Sequence, residues 1–168
     1  MLLGYGIVLG LKYANLGVQV RGAGPADASA AVRVLRESIL QLCEVDHKNE
    51  PGEVSGWLAN KTTDTFLKWL GDPDLVMRVA VRDGEIVGVG SCHIASRSVV
   101  LLYVAPEHRF GGVSSLLLSD LEEVLKHHGR GQMSLESTAT ALAFYRARGW
   151  QPKNEDTPPT LLVKQVGI

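Results

Sequence analysis

Leu102-Tyr103-Val104-Ala105-Pro106-Glu107-His108-Arg109-Phe110-Gly111-Gly112-Val113-Ser114-Ser115-Leu116-Leu117-Leu118 is the stretch from which the rest of the chain can be read. A β-rich run ends at Val104, a turn follows, and apolar residues then recur at helical spacing. The first N–H groups of a helix have no partner within it and sit at the positive end of its dipole, so a turn of this kind converges amides on an anion. Gly111 and Gly112 permit backbone conformations and a close approach that a Cβ would block. Arg109 adds a charge-assisted partner for phosphate. The plainer reading, a turn that any strand-to-helix connection needs, uses the same glycines. Neither GxxxxGK[ST] nor GxGxxG behind a strand occurs in the chain. What occurs is Arg109-x-x-Gly112-x-Ser114.

Upstream of the turn, three β-type runs lie at Leu75 to Arg82, Glu85 to Ile94 and Val99 to Val104. Asp83-Gly84, a strong hairpin signal, joins the first two, and an antiparallel meander is expected. Earlier still, Gly17 to Arg21 alternates as a strand, and Gly24-Pro25-Ala26-Asp27 breaks it and opens a helix. From Ala28 to Leu42, the residues Ala31, Val32, Leu35, Ile39 and Leu42 mark one helical face. The polar run from Cys43 to Glu53 reads as a loop with an acidic lean. Short helices are expected at Val54 to Leu58 and at Thr63 to Leu70, the latter capped by Thr62 or Thr63. Trp57, Phe66 and Trp69 would fill core or wall a pocket.

Downstream, Ser114 to Lys126 is expected to be helical and to stop at His127-His128-Gly129. A short strand at Gln132 to Glu136, a helix at Ala139 to Ala147 and a last strand at Thr160 to Val166 complete the order. No internal repeat and no long linker divides the chain, so residues 17–168 are read as one domain.

With 168 residues, 17 Lys and Arg against 18 Asp and Glu, and a net charge of −1, the chain lacks the electrostatic footprint of a nucleic-acid binder. Its two cysteines, Cys43 and Cys92, are far apart and have no metal-ligand spacing, so neither a disulfide scaffold nor a metal site is suggested. A reducing cytoplasm is the expected setting. Residues 1–16 include the apolar run Leu2 to Leu11, which is short of the roughly 20 residues that span a bilayer and has no basic stretch ahead of it. They are read as an extension: an extra strand, a disordered tail, or a contact arm that would make a homodimer.

Arg109-x-x-Gly112-x-Ser114, at the mouth of a helix behind a strand, resembles the coenzyme A signature R/Q-x-x-G-x-G/A of the GCN5-related N-acetyltransferases. Thr138-x-x-Ala141-x-x-Phe144-Tyr145-x-x-x-Gly149-Trp150 resembles a second segment of that family, Asn-x-x-Ala-x-x-Phe-Tyr-x-x-x-Gly-Phe. The departures are Ser114 for Gly or Ala, Thr138 for Asn and Trp150 for Phe. The resemblance runs from about Val18 to Val166. It implies an α/β (α+β) fold with a mixed, mostly antiparallel sheet flanked by helices in the order β-α-α-β-β-β-α-β-α-β.

It also implies acetyl transfer from acetyl-CoA to a primary amine, without a covalent enzyme intermediate. The pyrophosphate would sit on Arg109, Phe110, Gly111, Gly112, Val113, Ser114 and Ser115, and Thr138 would add a contact. The pantetheine would pair with the backbone of Leu102, Tyr103 and Val104, where two strands splay. Tyr145 occupies the position that protonates the leaving thiolate, and a phenol near pKa ~10 can donate; its other reading is core filling. The base is open between Glu136 and His93, with Asp46 and His47 as candidates that would face the acceptor. Adjacent strand residues point to opposite faces, so Cys92 and His93 do not form a nucleophile-base pair. The acidic lean of residues 44–53 favours a cationic amine. The alternative reading is an acyl-CoA-binding regulatory module without catalysis, and a third is an interaction domain without a ligand.

Overall fold

The computed structural model describes residues 17–166, so the extension expected at residues 1–16 lies outside it. The order is β1 (Val18–Gly22), α1 (Ala28–Leu42), α2 (Glu44–His47), α3 (Pro51–Leu58), α4 (Thr63–Leu70), β2 (Leu75–Arg82), β3 (Glu85–His93), β4 (Ser98–Val104), α5 (Val113–His127), β5 (Gly131–Glu136), α6 (Leu142–Arg146), β6 (Gln151–Pro152) and β7 (Leu161–Val166). Seven strands form one sheet in the order β1-β2-β3-β4-β5-β7-β6. Every pairing is antiparallel except β4 with β5. This is the mixed, mostly antiparallel sheet with flanking helices that the sequence implies.

The meander closes as its turn demands. Asp83 and Gly84 both have positive φ, 51° and 82°, the geometry whose twist suits a two-residue hairpin. β3 is buried from Ile86 to Cys92, an almost unbroken run, because α1 covers one face and α5 the other. The α1 face holds Ala31, Leu35, Val79 and Val89, joined by Phe66 of α4, and all five are fully buried. The α5 face holds Leu117, Leu121 and Leu125 against Ala80, Cys92, Met133 and Leu162. Each such leucine contributes about 1.5–3 kcal/mol by burial.

Two glycines set how closely α5 lies on the sheet. A Cβ on Gly88 would stand 2.8 Å from Leu117 Cδ1 and 2.9 Å from Val113 Cγ1, and one on Gly90 would stand 3.0 Å from Leu121 Cδ1. At the far end of the sheet, Glu122 is 7% exposed but satisfied. It accepts from Trp150 Nε1 at 3.0 Å and from Lys164 Nζ at 2.9 and 2.8 Å, tying α5 to β7 and to the segment after α6.

Two local expectations are corrected, and one short strand goes beyond them. Residues 43–53 are not a plain loop: α2 occupies part of it and α3 starts at Pro51, three residues earlier than expected. Proline is preorganised for a first helical turn, and the polarity that suggested a loop belongs to exposed helical residues. The helix expected from Ala139 begins only at Leu142, because Thr138 Oγ1 accepts from Ala141 N at 3.2 Å and holds the chain in a turn. Gln151 and Pro152 pair with Val163 and Leu162 as a two-residue strand too short to carry any periodicity. No helix among the described residues is long and apolar enough to cross a membrane.

Candidate functional site

β4 carries the irregularity that opens the site. Leu101 lies opposite Ser91 and Val99 opposite Cys92, so Val100 is an extra residue with no opposite number, a β-bulge. β4 meets β5 only at Ser98 with Ser134 and Val99 with Leu135. Beyond these pairs the strands part, and a cavity of about 660 Å³ lies along the second half of β4. It is lined by strand residues Val99 to Val104, by the turn and first residues of α5, by Leu135 and Glu136 of β5, by residues between Thr138 and Arg148, and by Ser38, Leu42 and Cys43 at the end of α1.

The turn is built as the sequence predicts, with one addition. Arg109 is extended, Phe110 is left-handed at φ 60°, and Gly112, also left-handed at φ 80°, caps α5. The first helical hydrogen bond runs from Leu116 N–H to Gly112 O at 3.0 Å, so the amides of Val113, Ser114 and Ser115 lie ahead of it at the positive end of α5. Arg82 of β2 braces the turn from behind, donating from Nη1 to Nδ1 of His108 at 3.1 Å. A Cβ on Gly111 would stand 3.4 Å from Arg82 Nη2, about ordinary contact with the end of a flexible side chain.

Arg148 is a site residue that the sequence reading missed. Its Nε and Nη2 donate to Ser115 Oγ at 3.1 and 2.6 Å, its Nη1 donates to Phe144 O at 2.8 Å, and its guanidinium lies 3.7 Å from the Phe144 ring centroid. A second cation thus meets the first turn of α5 and, like Arg109, lines the cavity. Arg148 lies two residues past the end of α6, and nothing in the sequence ties it to Ser115.

Of the residues singled out from sequence, Leu102, Tyr103, Val104, Arg109, Phe110, Gly112, Val113, Ser114, Ser115, Glu136, Thr138 and Tyr145 line this cavity. Tyr145 is 7% exposed, packed edge-on against Phe144 and Trp150. Burial, reinforced by the nearby Tyr103, pushes its phenol well above the ordinary tyrosine range. Tyr103 is pushed up to about 12 by burial, with Cys43 and Asp46 adding to the shift. Glu136 is exposed and stands where β5 leaves β4, level with the bulge.

The remaining candidates lie elsewhere. His93 closes β3 opposite Ser98, at the end of β4 remote from the turn, where its Nδ1 accepts from Ser96 N at 3.1 Å. His47 is 1% exposed; Nε2 is 2.9 Å from Ile39 O and Nδ1 accepts from Asn49 N at 3.1 Å, which fixes the hydrogen on Nε2. Asp46 spans the gap between α2 and the turn before α6: Oδ1 accepts from Ala139 N at 2.6 Å and Oδ2 from the Thr140 hydroxyl at 2.6 Å. Phe66 is core, with Trp69 edge-on against it, and Trp57 packs edge-on against His47. No group of histidine, cysteine and carboxylate side chains suited to a metal ion occurs among the described residues.

Comparison with known proteins agrees with this architecture. The chain is 30% identical over 136 residues to an IAA acetyltransferase of Azospirillum brasilense, a match that covers 76% of this chain and 89% of the relative. A GCN5-related N-acetyltransferase from Rhodopseudomonas palustris superposes with a TM-score of 0.77 at 23% identity, covering 88% of this chain and 95% of that one. The PaiA N-acetyltransferase of Thermoplasma acidophilum, solved in complex with coenzyme A, superposes equally well, at 0.77, with 19% identity and coverage of 89% and 99%. Residues 51–158, which include the bulged strand, the turn and the Phe144-Tyr145 helix, match the family model of the acetyltransferase (GNAT) domain, and the chain therefore belongs to the GNAT acetyltransferase family.

Proposed function

We propose that the chain transfers an acetyl group from acetyl-CoA to a primary amine by direct attack within a ternary complex. The observation that carries this reading is the turn from Arg109 to Ser115 opening onto a cavity where β4 and β5 part, with Tyr145 in its lining. The diphosphate would rest on the amides at the start of α5, with Arg109 beside it. Arg148 saturates the lone pairs of Ser115 Oγ, which turns that hydroxyl's hydrogen outward as a donor for a phosphate oxygen. The pantetheine amides would pair with backbone of β4 that β5 leaves unpaired after Val99. Relatives solved with coenzyme A, from T. acidophilum, and with acetyl-CoA, from Sinorhizobium meliloti, support the choice of donor.

At the thioester, the amine nitrogen forms a bond to the carbonyl carbon and the charge collects on oxygen, where a strand amide facing the gap would stabilise it. The carbon–sulfur bond then breaks. The thiolate takes a proton, and Tyr145 is the group that would give it, since burial keeps its phenol protonated. The proton lost by the amine would pass to Glu136, the carboxyl group of the cavity wall. Charge polarity supports an amine acceptor: Arg109 and Arg148 flank the turn that takes the anionic donor, and Glu136 lies farther along the cleft. The two buried free thiols suit a reducing compartment such as the cytoplasm.

The test is thiol release from acetyl-CoA across a panel of amines, alongside thermal unfolding with and without acetyl-CoA. Amine-dependent release and a rise in melting temperature are expected, and both should vanish in Arg109→Glu. Absence of any stabilisation by acetyl-CoA in the unmodified protein would defeat the reading. The burial that makes Tyr145 a weak acid favours the alternative of a non-catalytic acyl-CoA-binding module. Tight binding with no turnover on any amine would establish that alternative.

A further inference from the structure

Phe110 is 96% exposed, far more than any other large apolar residue among those described. It also holds a left-handed backbone, φ 60°, which a bulky side chain rarely tolerates. Among the described residues, the other non-glycine residues with positive φ are Lys48, Asn49, Asp83 and Arg97, all polar residues in turns. An unburied aromatic ring in a strained position is unfavourable on both counts, and such strain concentrates where a ligand is gripped. Phe110 lines the cavity, and the Arg109 guanidinium lies 4.8 Å from its ring centroid.

We infer that Phe110 is the platform on which the adenine ring of the acyl-CoA stacks, so that the chain recognises the nucleotide end of its donor as well as the diphosphate. The inference rests on the acetyl-CoA reading above and fixes which part of that molecule meets which side chain. The thioester must enter the cleft as far as Tyr145, which is 7% exposed. The diphosphate on the first amides of α5 therefore has its pantetheine side turned inward and its adenosine turned outward. The adenine is one ribose away from the diphosphate, and Phe110 precedes those amides in the chain and stands exposed to solvent. A flat base laid on an aromatic face beside a guanidinium gains stacking and cation–π attraction together. Covering the ring removes its exposure to water, which offsets the strain of the turn. Gly111 and Gly112 would let the diphosphate approach the backbone immediately after that ring.

Calorimetric titrations of the full chain and of Phe110→Ala, Phe110→Gly and Phe110→Trp with two ligands test this. One ligand is acetyl-CoA; the other is acetylated phosphopantetheine, which ends at a phosphate and lacks adenosine. Phe110→Ala and Phe110→Gly should weaken acetyl-CoA about tenfold and leave acetylated phosphopantetheine unchanged, while Phe110→Trp restores acetyl-CoA binding. Adenine proton resonances should shift upfield on binding to the unmodified protein and to Phe110→Trp, and not on binding to Phe110→Ala. Unchanged acetyl-CoA affinity in Phe110→Ala, or equal weakening of both ligands in Phe110→Gly, would overturn the platform while leaving the acetyl-CoA reading intact. If the unmodified protein binds neither ligand, the donor assignment itself falls and the platform with it.

Discussion

Tyr145 is a phenol whose proton is held more tightly than in water, because burial disfavours the phenolate. A group in that state stays protonated at neutral pH. A free thiolate, near pKa ~8.5, is less basic than this phenolate, so Tyr145 would act chiefly through a hydrogen bond to the leaving sulfur while charge builds there. Tyr145→Phe is therefore expected to lower kcat about a hundredfold, near the lower end of general acid catalysis, with little change in KM for acetyl-CoA. Because the shift is upward, loss of this proton cannot depress the rate below about pH 10, the ordinary phenol value. A pH profile of kcat in the unmodified protein and the variant checks both statements. Tyr145 was legible from its place in a spaced motif. Arg148 was not, because it lies in the turn past α6 and its partner Ser115 is 33 positions away in the chain. His47 and Asp46 show the same limit: adjacent polar residues look alike in sequence, yet one is sealed behind α1 and the other bridges two segments.

Elements were legible wherever burial imposed a period. α1 spans Ala28–Leu42 as its apolar spacing predicts, and β2 spans Leu75–Arg82. α2, the first turn of α3, and β6 were not, because their residues are mostly exposed or too few to show a period. The bulge at Val100 left no mark either, since an extra residue is defined by the partner strand. The packing of α5 on β3 carries a prediction at this scale. Gly88→Ala places a Cβ 2.8 Å from Leu117 Cδ1 and 2.9 Å from Val113 Cγ1, and Val113 is a stiff β-branched residue in the first turn of α5. The substitution should cost about 1–3 kcal/mol, seen as a lower urea midpoint. It should also reduce stabilisation by acetyl-CoA, because the helix that must move carries the anion seat at its own end.

At the scale of the whole molecule, three buried acids and the half-buried Tyr103 among the described residues respond to alkali together. Burial lifts the Cys43 and Cys92 thiols to about 11 and Tyr103 to about 12, and Tyr145 moves the same way. In each case the folded value lies above the unfolded one, so the contribution to stability is complete below the unfolded value and is lost as pH rises through the folded one. Stability should begin to fall near pH ~9, where unfolded thiols ionise, and fall faster beyond pH ~10. Urea midpoints measured across that range test this, and a Cys43→Ala, Cys92→Ala double variant should show a shallower decline. The sheet's strand order was not legible, because nothing in local pattern tells β5 to lie beside β4, and the family resemblance implied only that two strands splay. That placement has a mechanical outcome. β4 and β5 share two paired residues, so the sheet is two panels, β1 to β4 and β5 with β7 and β6, joined by a short seam. A donor whose amides bridge the open part of the seam would serve as its missing rungs. On that reading the protein stiffens each time it loads substrate and softens when product leaves, and the work of opening the panels falls on product release.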